Sequence, residues 1–87
     1  MNDKIVSDFY NFIDNDKMQI ITIYNSPMDY ENKWVARLSY VENGCNIPTK
    51  YIIVEDSFDE LKKHISKTLT FIPRFPNDVI SIVGVYI

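Results

Sequence analysis

The sequence predicts a small α+β domain in which a mostly antiparallel sheet carries two helices on one face. Two segments repeat their apolar residues at helical spacing, and four others are rich in the β-branched and aromatic residues that suit strands. The predicted order along the chain is α-β-β-β-α-β. Because 87 residues suffice for one hydrophobic core, we expect a single domain over residues 1–87, with both helices packed on the more apolar side of the sheet.

The first predicted helix spans residues 3–15, and the second begins at Ser57. Asn2 and Asp3 can cap the first helix, and its apolar face consists of Ile5, Val6, Phe9, Phe12 and Ile13. The segment Ser57-Phe58-Asp59-Glu60 matches a capping box, in which the serine and the glutamate each satisfy a free N–H at the helix start. This helix should end near Thr70, and its apolar stripe consists of Phe58, Leu61, Ile65 and Leu69.

Four strands are predicted, over residues 18–25, 33–42, 49–55 and 79–87. The second of them alternates apolar and polar residues, which indicates one buried and one wet face. Asn43-Gly44 is a turn signal, but the next clear strand pattern starts at Thr49, so we expect a connection longer than a two-residue hairpin turn. The last strand is apolar on both faces and should lie inside the sheet, beside the first or third strand.

The inventory of reactive residues is poor, with one histidine and one cysteine in the chain. His64 is flanked by Lys63 and Lys67, which suit neither a metal site nor a tuned base, so it is interpreted as a residue at the core boundary. Cys45 has no neighbouring cation to activate its thiol. The acidic run over residues 55–60 lacks the glycine and the alternating oxygen ligands of a calcium loop. We therefore expect no enzyme activity, no metal and no cofactor; a small enzyme that pairs His64 with a carboxylate is the alternative.

Acidic residues outnumber basic ones, and the net charge is -3. Residues 1–31 have a net charge of -4, and the remainder of the chain has a net charge of +1. Such a chain repels phosphate groups, so direct binding of DNA or RNA is disfavoured and a basic protein partner, such as a toxin or nuclease, is favoured. The apolar stretches are too short to span a membrane, and Asp3 and Asp8 disfavour a signal peptide. Together with the single Cys45, these features predict a cytoplasmic protein that is a monomer or homodimer when free.

Partner binding is expected where aromatic and charged residues adjoin the predicted loops. Trp34 is either a core residue or an interface anchor, a role in which tryptophan, tyrosine and arginine are over-represented. Arg74 stands in a stiff loop between two prolines, where it either contacts a partner or pairs with Asp78. Asp56 and Asp59 either cap the second helix or form an acidic binding knob. The full set of candidate partner-binding residues is Asp29, Tyr30, Glu31, Trp34, Asp56, Asp59, Arg74 and Asp78.

Two parts of the chain resemble families of toxin inhibitors. The strand segment Trp34-Val35-Ala36-Arg37-Leu38 and the helix start Asp56-Ser57-Phe58-Asp59-Glu60-Leu61 resemble the HicB-type antitoxin fold, although the Pro-Gly-Cys type signature of that family is absent. The closing segment Pro73-Arg74-Phe75-Pro76-Asn77-Asp78, followed by an apolar strand, resembles small immunity proteins of bacterial contact-dependent inhibition systems. Both resemblances imply a protein that neutralises a toxin.

We therefore predict a small acidic inhibitor, an immunity protein or antitoxin that occludes the basic active site of a nuclease-type toxin. Acidic residues would speed the encounter, and aromatic residues would hold the complex. A phage-encoded inhibitor of a host defence nuclease would have the same sequence features. The alternative from another class is a homo-oligomeric structural or ligand-binding domain, with the last apolar strand as its subunit interface.

Overall fold

A computed structural model describes residues 3–13, 16–74 and 81–87. Within these ranges the chain forms one mixed sheet of six strands, one short α-helix and a single 3₁₀ turn. None of the helical residues described belongs to a helix long and apolar enough to cross a membrane. The elements in chain order are β1 (Lys4–Ile5), the 3₁₀ turn (Tyr10–Phe12), β2 (Met18–Asn25), β3 (Trp34–Glu42), β4 (Cys45–Glu55), α1 (Phe58–Lys62), β5 (Phe71–Pro73) and β6 (Ile82–Tyr86).

The strands lie in the order β1-β4-β3-β2-β6-β5. Only the pairing of β1 with β4 is parallel, and the other four pairings are antiparallel. The central pairs place Ile21 opposite Leu38 and Ala36 opposite both Ile23 and Ile53. Because side chains alternate between faces along a strand, these residues share one face of the sheet.

The hydrophobic core lies on that face, which we call the covered face. The side chains of Leu61 and Ile65 pack on it from the segment that includes α1, and Phe9 packs on it from the N-terminal segment. Fully burying an aliphatic side chain contributes about 1.5–3 kcal/mol, so this layer is the main source of stability. The opposite side, which we call the open face, carries Tyr24, Val35 and Arg37 by alternation with the core residues.

The predicted α+β fold with two packed helices is wrong, because the structure is mostly β and the first helix does not form. Within the described part of residues 3–15, Lys4 and Ile5 pair with β4, and the Val6 N–H donates to the Ile52 carbonyl oxygen over 2.8 Å. The Asp8 side chain then accepts the Tyr10 N–H over 3.0 Å. The edge of β4 provides backbone hydrogen-bond partners for this segment, whose β-branched residues Ile5 and Val6 would lose rotamer freedom in a helix. The Asp8 side chain also accepts a backbone N–H that a helix would need for its own hydrogen bonds.

The second predicted helix begins where expected but is much shorter. The Ser57 side chain accepts the Glu60 N–H over 3.2 Å, as the capping motif predicts. The helix ends at Lys62, and the chain continues in turns whose N–H groups donate three residues back. Thr70 exchanges two backbone hydrogen bonds with Ile87, at 2.9 and 3.0 Å. The end of the predicted helix therefore forms backbone hydrogen bonds with the last residue of the chain instead of helical ones. The side chain of Ile65 is nevertheless buried in the core, as predicted.

The strand predictions were more accurate than the helix predictions. The first predicted strand is confirmed at both ends by β2, and β6 lies inside the sheet beside β2, as expected. The connection after β3 is shorter than predicted, because Asn43 and Gly44 form a two-residue turn with φ values of 52° and 76°, the geometry that tight hairpins favour. The short edge strand β5 was missed because its Pro73 indicated a loop.

Candidate functional site

The strand directions place most of the predicted binding residues at one end of the sheet. Strands β2, β4 and β5 finish at this end, and β3 and β6 start there. The residues brought to it are Asp29, Tyr30, Glu31, Trp34, Asp56, Asp59 and Arg74. Arg74 lies at the far edge, four strand spacings from β4, or roughly 19 Å away. Asp78 lies outside the described residues.

Residues 26–33, which connect β2 to β3, form a loop held by its own hydrogen bonds. The Ser26 N–H donates to the Lys33 carbonyl oxygen over 2.7 Å, and the Ser26 hydroxyl accepts the Asn32 N–H over 3.0 Å. The Tyr30 N–H donates to the Pro27 carbonyl oxygen over 3.0 Å. Ser26 and Asn32 have φ values of 52° and 62°, a left-handed conformation that costs roughly 1–2 kcal/mol per residue. Loop 26–33 thus adopts a specific shape despite local strain.

The surface of loop 26–33 combines an apolar side chain with negative charge. Met28 is 94% exposed, more than the other exposed large hydrophobic residues described. Asp29 and Glu31 are also exposed, and neither forms an ion pair with a described residue. The loop therefore exposes one adaptable apolar side chain and two carboxylates.

The other predicted acidic residues at this end have cationic neighbours. The Lys33 ammonium contacts the Asp56 carboxylate, and Lys62 lies 3.3 Å from Asp59. These pairs are exposed and add little stability. They partly neutralise Asp56 and Asp59, whereas Asp29 and Glu31 have no cationic partner among the described residues.

Trp34 belongs to the rim of the hydrophobic core. Its ring stacks on Phe58 of α1, with ring centroids 5.0 Å apart and planes at 5°. The Phe58 ring in turn lies 5.9 Å from the Phe71 ring of β5. Trp34 is half-buried in this row, so a substitution that removes it would disturb packing between the sheet and α1.

A charged network on the open face joins the N-terminal segment to loop 26–33. Arg37 donates to the Asp3 carboxylate over 2.8 Å and to the Thr49 carbonyl oxygen over 2.7 Å. The Tyr30 hydroxyl donates to the same Asp3 carboxylate over 3.3 Å. The side chains of Asp3 and Arg37 are 15% and 19% exposed. The network therefore ties the loop to the middle of the sheet.

The network also changes the acidity of the tyrosine. Burial raises the pKa of Tyr30 above its usual value of 10.0, and the charge and hydrogen bond of Asp3 add to the effect. Arg37 opposes the increase in the pKa, whereas Asp29 reinforces it. The negative groups around the phenol thus outweigh the guanidinium.

Two cavities lie against this network and share Tyr24, Asp29 and Arg37 in their walls; together we call them the Tyr24 cavity. The larger has a volume of about 320 Å³ and is bounded by Asp3, Tyr24, Asp29, Arg37 and Pro48. The smaller, of about 190 Å³, is bounded by Tyr24, Pro27, Asp29, Tyr30, Val35 and Arg37. Sequence patterns predicted Tyr30 and Asp29 as binding residues but missed Asp3, Tyr24 and Arg37.

His64 and Cys45 are placed away from this site. The His64 Nε2 atom lies 3.1 Å from Glu55 Oε1, and both side chains are about one-third exposed. Cys45 is exposed at the start of β4, at the opposite end of that strand. Over residues 3–13, 16–74 and 81–87, no three histidine, cysteine or acidic side chains are grouped so that they could hold a metal ion.

Comparison of the chain with protein-family models, with curated proteins and with solved structures found no match. The resemblances to antitoxins and immunity proteins therefore stay predictions, and the geometry of the site is the basis for inferring its function.

Proposed function

We propose that this protein is a stoichiometric inhibitor of the immunity-protein or antitoxin type, which covers a basic surface of a protein partner with loop 26–33. The observation that carries the proposal is an internally bonded loop that exposes Met28 together with two carboxylates, Asp29 and Glu31. The occluded surface would be the cationic cleft of a nuclease-type toxin. A phage-encoded inhibitor of a host defence nuclease would use the same surface in the same way.

The order of the loop supports a role in binding. A segment that already has its bound shape loses less conformational entropy in a complex than a flexible one does. Four hydrogen bonds hold loop 26–33, and the Tyr30 hydroxyl anchors it to Asp3. The unbranched thioether side chain of Met28 adapts to irregular apolar gaps, as methionine does on many binding surfaces.

The charge distribution supports a basic partner. Exposed charges act mainly on the rate of association, because their field steers a partner of opposite sign before contact. Asp29 and Glu31 have no ion partner in the described part of the chain, whereas Asp56 and Asp59 contact lysines. We therefore assign the steering role mainly to the two loop carboxylates, and the apolar contact to Met28.

A homo-oligomeric domain is the second candidate, and the open face favours it. Met18 is 58% exposed on this face, opposite the half-exposed Val41, and Ile20 follows two residues later. A second copy of the chain could cover this apolar strip. Measurement of the solution mass decides between the candidates: a dimer that binds no other protein would favour assembly, and a monomer that forms a stable hetero-complex would favour inhibition.

The experiment that tests inhibition compares three immobilised proteins in capture from the cells that make the chain. They are the wild type, the loop variant Asp29→Asn/Glu31→Gln, and the control Asp16→Asn/Glu42→Gln. The control removes the same charge near the opposite end of the sheet, where β2 starts and β3 ends. We expect a basic protein that the wild type and the control retain and the loop variant loses.

The captured protein is then purified and its activity is measured with increasing amounts of the chain. Inhibition that is complete at one-to-one stoichiometry, and that weakens in the loop variant alone, supports the proposal. Equal retention of the partner by the loop variant and the wild type would exclude loop 26–33 as the binding surface.

A further inference from the structure

The Tyr24 cavity has a mixed wall of aromatic, apolar and charged groups. The aromatic and apolar residues in the wall include Tyr24, Tyr30, Pro27 and Val35, and the charged residues are Asp3, Asp29 and Arg37. Binding pockets for small groups commonly have this composition, with apolar walls and a few polar groups that set orientation. Its larger part, at about 320 Å³, reaches the lower limit of the volumes typical of such pockets.

The charges in the wall favour a positively charged occupant. Asp3 and Asp29 contribute two carboxylates and Arg37 contributes one guanidinium, which leaves a net charge of -1. Arg37 is already engaged by the Asp3 carboxylate and the Thr49 carbonyl oxygen. Asp29 has no ion pair with a described residue. An anion would meet a compensated guanidinium and an uncompensated carboxylate, whereas a cation would meet Asp29.

The raised pKa of Tyr30 agrees with the excess of negative charge in the cavity wall. After burial, the largest influence that raises the pKa of this phenol is the negative charge of Asp3. The opposing influence of Arg37 is smaller. At this phenol the carboxylate of Asp3 therefore acts more strongly than the guanidinium, in agreement with the net charge of the wall.

We propose that the Tyr24 cavity binds the guanidinium group of one arginine side chain of the protein partner. The planar guanidinium can stack on a tyrosine ring and form paired hydrogen bonds with the Asp29 carboxylate, which a lysine ammonium cannot do. The inference rests on the proposed function, because the cavity adjoins loop 26–33 and shares Asp29 and Tyr30 with it. It deepens that function by naming the partner residue that the inhibitor captures.

The test uses a small probe, so it does not depend on the partner. N-acetyl-arginine amide is titrated into ¹⁵N-labelled protein, and N-acetyl-citrulline amide, which is neutral and nearly the same shape, is titrated in parallel. For a ligand of this size we expect a dissociation constant on the order of millimolar. Chemical-shift changes should centre on Tyr24, Asp29, Tyr30 and Arg37, and the citrulline probe should bind about tenfold more weakly.

Two variants show whether the cavity is responsible. Asp29→Asn should weaken the arginine probe about tenfold, because a charged hydrogen-bond acceptor is lost. Glu42→Gln removes an exposed carboxylate at the opposite end of the sheet and should leave the probe affinity unchanged. Tyr24→Leu keeps apolar bulk but removes the ring, and should weaken binding severalfold. The amide spectrum of each variant verifies that it is folded.

Several outcomes would overturn the proposal. These are equal binding of the citrulline probe, shifts caused by inorganic phosphate at the same residues, and arginine-induced shifts that are absent or lie outside the cavity. If the arginine probe fails but the loop variant still loses its partner, the proposed function stands and the cavity has no role in it. If the probe binds as expected and no basic partner is captured, the cavity assignment stands without the inhibitor.

Discussion

The two faces of the sheet are formed by the same strands but are held by different forces. On the covered face, Ile23, Leu38 and Leu61 are fully buried at 0% exposure, and their contacts are apolar. On the open face, Val35 and Ile52 are also buried, but Arg37 and Asp3 add a directional pair that links the sheet to the N-terminal segment. Apolar burial is non-directional and provides most of the stability, whereas charged hydrogen bonds fix the position of loop 26–33. The open face thus combines apolar burial with the charged network that positions loop 26–33, whereas the described core of the covered face is apolar.

The largest expected effect is on the covered face. Leu61→Ala should lower the free energy of unfolding by about 2–5 kcal/mol, because it removes buried methyl groups and leaves a cavity. Urea unfolding monitored by the fluorescence of Trp34 measures the change. Met28→Ala is the matched control: its side chain is 94% exposed, so a change within about 0.5 kcal/mol is expected. A Leu61→Ala protein as stable as the wild type would show that α1 does not pack on the core.

A smaller effect is expected from the network on the open face. Asp3→Asn should cost about 1–3 kcal/mol, because Arg37 and Tyr30 lose a charged acceptor at a site that is largely shielded from water. Glu42→Gln breaks the exposed pair with Lys17 at 3.9 Å and should cost less than about 1 kcal/mol. Denaturant unfolding at low and high salt compares the two variants. Equal costs would contradict the distinct role assigned to the open face.

The third prediction concerns association with the partner identified by capture. Asp29→Asn/Glu31→Gln should slow association about tenfold at low salt and should also speed dissociation, because Asp29 no longer forms its paired hydrogen bonds with the partner's arginine. Asp56→Asn/Asp59→Asn should slow association less, because these residues contact Lys33 and Lys62. Stopped-flow mixing across a salt series measures both rates. Association that is insensitive to salt in all three proteins would exclude electrostatic steering.

The smallest effect is the pH dependence due to Tyr30. Its pKa is raised above 10.0 in the folded protein, so the folded state holds the phenol proton more tightly than the unfolded state. This contribution is complete below about pH 10 and is lost as the pH rises through the folded pKa. Between about pH 9 and pH 11, the wild type should therefore lose more stability than Tyr30→Phe. If Tyr30→Phe loses stability more steeply than the wild type over this pH range, the pKa of Tyr30 is not raised in the folded protein.

The differences between the sequence prediction and the structure have one physical origin. Patterns that are satisfied locally were read correctly: the β-branched and aromatic composition of β2 predicted both of its ends, and the Ser57 cap marked the start of α1. Residues 3–13 carry apolar residues at helical spacing, but the free edge of β4 at Tyr51 and Ile52 draws Lys4 and Ile5 into the sheet. Propensity is a weak preference that tertiary pairing overrides.

In the candidate site too, residues with a local sequence signal were predicted, and residues brought together by strand pairing were not. Tyr30, Asp29 and Glu31 were recognised from the sequence because polar and aromatic residues cluster in one loop. Asp3, Tyr24 and Arg37 were missed because each belongs to an element whose local pattern has another explanation. Arg37 reads as a solvated position on an alternating strand, and Asp3 reads as a helix cap.

The sequence by itself determined the charge, the poverty of reactive residues, β2 and the start of α1, because composition, alternation and capping involve only neighbouring residues. The tertiary structure alone decided the N-terminal strand and the Arg37–Asp3–Tyr30 network. The partners in that network are 34 and 27 residues apart in the chain. Separations of this size leave no periodic signal, and the side chains meet only because strand pairing brings distant segments to the same face of the sheet.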